Sequence, residues 1–120
     1  MIRYRELIVW QRSMVFVTKL YEITGTFPKC ETYGLTAQLR RCAVSIPSNI
    51  AEGAGRQSDG DFGRFLNIAM GSLFEVQTQL EIAKNLGFLS EMDQRELYDS
   101  TREIERLLSS LIRRIKGASK

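Results

Sequence analysis

Arg40, Arg41, Arg56 and Arg64 are the side chains of this sequence best suited to hold a ligand. Each guanidinium carries a permanent charge and a planar fork of donors, which fits phosphate oxygens. Gathered on one surface, they would grip the backbone of RNA or DNA, with Arg3, Arg5 and Arg12 as helpers. No aromatic residues are read as interleaving with them to form a base-stacking platform. Binding of this kind would follow salt and ignore sequence. The competing reading is structural: Arg40 or Arg41 pairs with Glu52 or Glu75 and serves the fold. Both readings stand for Arg41.

Other chemistry is scarce. The chain has no histidine, which removes the commonest general base and metal ligand. No Glu-x-x-His pair offers a di-iron site. Nucleophile elbows, phosphate loops and dinucleotide fingerprints are also missing. Gly53-x-Gly55 reads as a helix exit, too short to cradle a phosphate. Cys30 and Cys42 stand twelve apart without a histidine partner, so the usual zinc sites are excluded. No enzyme, cofactor or metal is expected. Asn49, just past Pro47, is expected to satisfy backbone groups that the proline frees, with Ser45 or Ser48 helping. The alternative for Asn49 and Glu52 is a small polar site facing a ring centre.

The elements that position these residues follow from apolar spacing. The first helix is predicted over about 7–24. Leu7, Trp10, Met14, Val17 and Tyr21 form its seam, Phe16, Leu20 and Ile23 widen it, and Gly25 stops it in a left-handed conformation. Phe27, before Pro28, should cap the core. A second helix, 33–55, places Leu35, Leu39, Cys42, Ile46 and Ile50 on one stripe, with Pro47 kinking it. A third, 58–86, starts on Ser58 with Asp61 in the capping-box position. Phe62, Leu66, Ala69, Leu73, Val76, Leu80 and Ala83 step along it as a heptad seam. Gly87 ends it. A fourth, 90–116, starts on Ser90 with Asp93, and carries Leu97, Thr101, Ile104, Leu108, Leu111 and Ile115, flanked by Leu107 and Ile112. Residues 117–120 should fray. Four amphipathic helices on short loops predict an all-α, antiparallel up-down-up-down bundle, one domain over residues 1–120.

Composition agrees. The 120 residues are 43% hydrophobic and 26% charged, with net charge +3, ordinary for a globular chain that buries a core without disulfide or metal. Residues 1–60 hold eight basic and five acidic residues, and 61–120 nine of each. Arg113, Arg114, Lys116 and Lys120 close the chain without an acid among them. Their plainest reading is a cationic helix C-terminus. No signal-peptide core or membrane-length apolar run occurs. The expectation is a cytoplasmic protein with reduced thiols and no membrane partner.

The third helix carries more apolar surface than one seam needs. Ile68, Met70, Phe74 and Ile82 lie off it, and Gly71 and Thr78 would let another helix approach closely. An exposed strip of this size reads as a contact surface between copies of the chain. The alternative is a wide seam touching both neighbours within one copy.

Trp10, Phe27-Pro28, Glu31-x-Tyr33-Gly34-Leu35, Gln38-x-Arg40-Arg41, Ser45-x-Pro47-x-Asn49-Ile50-Ala51-Glu52-Gly53 and Gly55-Arg56 recur together. Phe62-x-x-Phe65-Leu66, Ala69-x-Gly71-Ser72, Glu75 and Leu80 follow. In order and spacing this resembles the four-helix-bundle family named for proteins encoded in intervening sequences of 23S ribosomal RNA genes. The resemblance is clearest from Tyr4 to Leu86. It implies a left-handed bundle, a ring-shaped homo-oligomer with a pentamer as the expected size, and kinship with the accessory proteins of diversity-generating retroelements. Those are more basic bundles that bind nucleic acid and a reverse transcriptase. The functional expectation is a non-enzymatic, self-associating bundle that binds nucleic acid weakly. The alternative is a scaffold whose partner is another protein.

Overall fold

Serine starts two of the four long helices. Ser58 Oγ accepts the Asp61 amide and Ser90 Oγ that of Asp93, both at 3.1 Å, which satisfies a donor that the first turn leaves free. The computed structural model describes residues 2–118. It contains α1 (Ile8–Thr24), α2 (Leu35–Ala54), α3 (Asp59–Asn85) and α4 (Glu91–Ala118), with single 3-10 turns at Tyr4–Glu6 and Lys29–Glu31. No strand occurs among the described residues. Helix α4 runs through Gly117 to Ala118, past the expected end. The fraying expected at Ser119 and Lys120, and the place of Lys120 in the basic cluster, lie outside the described residues.

The helix ends use two devices. Gly87 is left-handed, with φ 78°, and the Phe88 amide reaches back to the Ala83 carbonyl at 2.9 Å, a glycine stop. Gly25 is not left-handed: its φ is −61°. There the chain unwinds through tight turns instead. The Thr26 and Phe27 amides donate to the Ile23 and Thr24 carbonyls, and the Thr26 hydroxyl donates to Ile23 O at 2.8 Å. With those carbonyls satisfied, no left-handed residue is required.

Helix α2 spans Pro47 without ending. Proline leaves the Ala43 carbonyl without its helical donor. Asn49 Nδ2 donates to Ser45 O at 2.8 Å and to Ser45 Oγ at 2.9 Å. Its amide thus serves Ser45 and not the Ala43 carbonyl that the proline frees, a correction to the expected role, with Ser45 and not the exposed Ser48 as its partner.

All seven seam residues predicted on α3 and all six on α4 are buried. Thr101, the polar member, donates to Tyr98 O at 2.6 Å and accepts from Gln77 Nε2 at 3.1 Å. Helix α1 is rotated from its expected phase. Val9, Ser13, Phe16, Leu20 and Thr24 are buried, while Met14 and Tyr21 are each 42% exposed. Ser13 and Thr24 tolerate burial because each hydroxyl donates to the carbonyl four residues back, at 2.7 Å. Phe27 and Phe88 close one end of the core, ring centroids 5.9 Å apart.

The helices pack in a cycle: α2 on α3, α3 on α4, and α1 on both α2 and α4. The backbones of α1 and α3 come nowhere within 8 Å, Cα to Cα, so these two helices stand at opposite corners. Arg12 meets Glu103 at 3.7 Å and Lys19 meets Glu96 at 3.6 Å. Gln77 meets Glu105 at 3.1 Å, and Gln94 meets Glu81 at 3.4 Å. The particle is a rod of 48 × 23 × 20 Å. Among the described residues no helix is long and apolar enough to cross a membrane.

Candidate functional site

The four arginines separate into two environments. Arg40 lies where α1 stops. Its Nε donates to Thr24 Oγ1 at 2.9 Å, its Nη2 donates to Tyr21 O at 3.1 Å, and its guanidinium covers the Tyr21 ring at 4.4 Å. A cation there neutralises the negative end of the α1 dipole, so Arg40 clasps α2 to α1. Arg41 is exposed and makes no hydrogen bond or ion pair among the described residues. Glu52 pairs with Arg56, and Glu75 accepts from Cys42 Sγ at 3.4 Å. Neither acid takes Arg40 or Arg41.

Arg56 and Arg64 converge at the α2–α3 turn. Their guanidinium carbons lie 4.7 and 4.8 Å from the centroid of the same ring, Phe65. Arg56 also meets Glu52 at 3.2 Å, and Arg64 meets Asp61 at 3.8 Å. Phe65 is 8% exposed. It holds the two cations by cation–π contact from beneath and offers no free face to a base. The expectation that no aromatic residue interleaves with the arginines therefore misses Phe65, whose position one residue after Arg64 was the available signal.

A groove of about 560 Å³ lies between Arg64 and Lys116, with Asp59, Asn67 and Ile115 also in its lining. A second groove brings Arg114 beside Glu6 and Leu7. The last turns of α4, the first of α1 and the α2–α3 turn therefore share one end of the rod. Arg56, Arg64, Arg114 and Lys116 gather there. Arg5 is there too, its guanidinium 5.6 Å from the rings of both Tyr4 and Trp10.

The outer face of α3 is apolar. Ile68, Phe74 and Ile82 are 43%, 48% and 43% exposed. Met70 packs against the core instead and is only half-exposed. Beside this strip a polar line joins α3 to α2. Ser45 Oγ and Ser72 Oγ lie 2.8 Å apart, and Gln79 Nε2 donates to Cys42 Sγ at 3.6 Å. Burial pushes the Cys42 thiol above its ordinary range, and the neighbouring Glu75 carboxylate pushes it further. That disfavours the thiolate, the form a nucleophile needs. Gln79 Oε1 is buried with no partner among the described residues. No group of three or more His, Cys, Asp or Glu side chains that could hold a metal occurs among them either.

Four helices around one core, with functional groups spread over surfaces, make this an all-α bundle protein. The model of the 23S rRNA-intervening sequence protein family matches residues 5–110, and the chain belongs to that family. Its structure is similar to the crystal structure of a protein of unknown function from the S23 ribosomal protein family of Bacteroides thetaiotaomicron VPI-5482. The TM-score is 0.82 at 25% identity, covering 88% of this chain and 96% of that one. No curated protein matches the sequence.

Proposed function

We propose that the protein is a non-enzymatic, self-associating bundle whose basic end contacts the phosphate backbone of nucleic acid. The observation that carries this is the pair Arg56 and Arg64, held against Phe65 with Lys116 across the groove. Cations already placed lose less side-chain entropy on meeting phosphate. The family's name supplies a probe, an RNA, and not an activity. The cross-helix pairings support an antiparallel up-down-up-down order, and self-association through α3 would repeat the basic end around an assembly. The resemblance sets the expected assembly as a ring of five. Both cysteines are free thiols, which suits the cytoplasm.

The test is a shift assay with unspecific RNA and DNA at about 50 and 200 mM salt. Binding should weaken steeply with salt, with no sequence preference. Arg56→Ala with Arg64→Ala should lower the salt slope on duplex DNA by about two, since each phosphate contact contributes about 0.9. Absence of binding even at the lower salt would leave the second reading, a protein scaffold, which the exposed Ile68, Phe74 and Ile82 favour.

A further inference from the structure

We infer that the basic end takes a single strand of nucleic acid, with one base stacked in the corner formed by Tyr4 and Trp10; this deepens the phosphate-binding reading and rests on it. Tyr4 opens the 3-10 turn before α1, and Trp10 sits in the first turn of α1. Their ring centroids lie 5.2 Å apart at an interplanar angle of 69°, so the rings meet as two walls of a corner. Both are half-buried and pack against the core on one side. On the outer side stands the exposed guanidinium of Arg5, 5.6 Å from each centroid. One exposed side chain, and not the core, thus closes the outer surface of the corner. Phe65 differs, because it is buried beneath its two arginines.

A guanidinium plane and a nucleobase both stack on aromatic rings. A base can therefore replace Arg5 in the corner, lying on one ring and meeting the edge of the other. The displaced guanidinium keeps its charge and its fork of donors, and stands where the phosphates beside that base run. Further cations are near. The turn that carries Tyr4 and Arg5 packs on α2, whose end leads to Arg56, and Arg114 lies beside Glu6 and Leu7. Glu6, the acid of that turn, is paired with Arg3 at 3.8 Å. The rod is 23 × 20 Å across, so a short strand laid over its end can reach both the Arg56–Arg64 pair and the corner. The corner selects a single strand. Duplex bases hide their faces in the stack and offer only their edges, whereas a single strand presents the faces. Every base has such a face, so stacking adds affinity without sequence preference.

Trp10 is the only tryptophan of the chain, so its fluorescence reports on the corner alone. The test titrates wild type at about 50 mM salt with three probes of about 16 nucleotides: a thymidine single strand, the same strand without its bases, and a DNA duplex. The first two carry equal phosphate charge and differ only in what can stack. The thymidine strand should quench Trp10 and bind roughly five- to a hundredfold more tightly than the baseless strand. The baseless strand and the duplex should bind without quenching. Tyr4→Ala, with folding checked by circular dichroism, should lose most of the thymidine advantage and keep its affinity for the baseless strand. Equal affinity for the two strands with unchanged Trp10 emission overturns the stacked base and leaves phosphate binding standing. Full thymidine affinity and quenching in Tyr4→Ala overturn the assignment to this corner. Failure of all three probes to bind overturns this inference and the phosphate reading together. The strand comparison uses wild type alone, so it decides whatever the variant's stability.

Discussion

Truncating Arg40 to alanine removes two charge-assisted hydrogen bonds and a cation–π contact from the end of α1. The Tyr21 carbonyl keeps the Gly25 amide at 3.1 Å, so the loss is that of the clasp between α2 and α1 and not of a stranded carbonyl. The side chain is half-buried, so the expected loss is about 1–2 kcal/mol, read as a melting point lower by several degrees. Arg40→Lys should recover only part, because lysine lacks the fork. Cys42 gives a pH signature. Its folded pKa is raised, so below the ordinary thiol range, about 8.5, the thiol is neutral folded and unfolded, and its contribution to stability is intact. As pH rises further the unfolded thiol ionises first, and that contribution is lost. Urea midpoints of wild type and Cys42→Ala should converge between pH 8 and pH 10. Iodoacetamide at neutral pH should modify the exposed Cys30 well before Cys42, as mass spectrometry of a digest would show. A structural role for Arg40 was legible in the sequence but its partners were not, and the Cys42 hydrogen bonds were not legible at all: both side chains find their partners on other helices, and spacing along one helix carries no trace of them.

At the scale of the helix, Gly53 fixes how closely α2 approaches α3. A Cβ there would lie 2.7 Å from Phe65 Cβ and 3.1 Å from Phe62 Cδ1. In a helix interior Gly→Ala normally stabilises by about 1 kcal/mol. Here overpacking should reverse the sign and cost about 1–3 kcal/mol, measured as a lower urea midpoint at unchanged m-value. Because Phe65 also carries Arg56 and Arg64, the same substitution should weaken nucleic-acid retention. The helices themselves were readable because α3 and α4 show one apolar stripe against charged flanks, and Ser58 and Ser90 mark their starts. Helix α1 was misphased for a physical reason. It is apolar nearly all round, from Ile8 through Val17, so hydrophobicity selects no unique face. Its inward residues include Ser13 and Thr24, whose hydroxyls bond to their own helix and so bury without outside partners. The apolar surplus of α1 was therefore absorbed into an expected seam, and its outer strip, Ile8, Met14 and Val15, went unread. On α3 the strip was legible for Ile68, Phe74 and Ile82, while Met70 turns to the core.

At the scale of the whole molecule, the rod separates two kinds of surface. Its flanks carry apolar strips on α1 and α3, and one end carries the cations of Arg56, Arg64, Arg114 and Lys116. The proposed association through a flank would stabilise the folded state by mass action, because unfolded chains present no such faces. The gain is about 2.7 kcal/mol when protein stands at a hundredfold its dissociation constant. The melting temperature of wild type should therefore climb as protein concentration rises from micromolar to hundreds of micromolar. Ile82→Arg should melt at a constant temperature over that range, close to the value wild type approaches on dilution. Differential scanning calorimetry at several concentrations provides the check. A wild-type midpoint indifferent to concentration, with scattering that reports a single chain throughout, would mean that Ile68, Phe74 and Ile82 face water in the working protein. Basic-end substitutions should leave this concentration dependence unchanged, since Arg56 and Arg64 lie at the end of the rod. That independence would separate the charge proposed to meet phosphate from the apolar faces proposed to join copies.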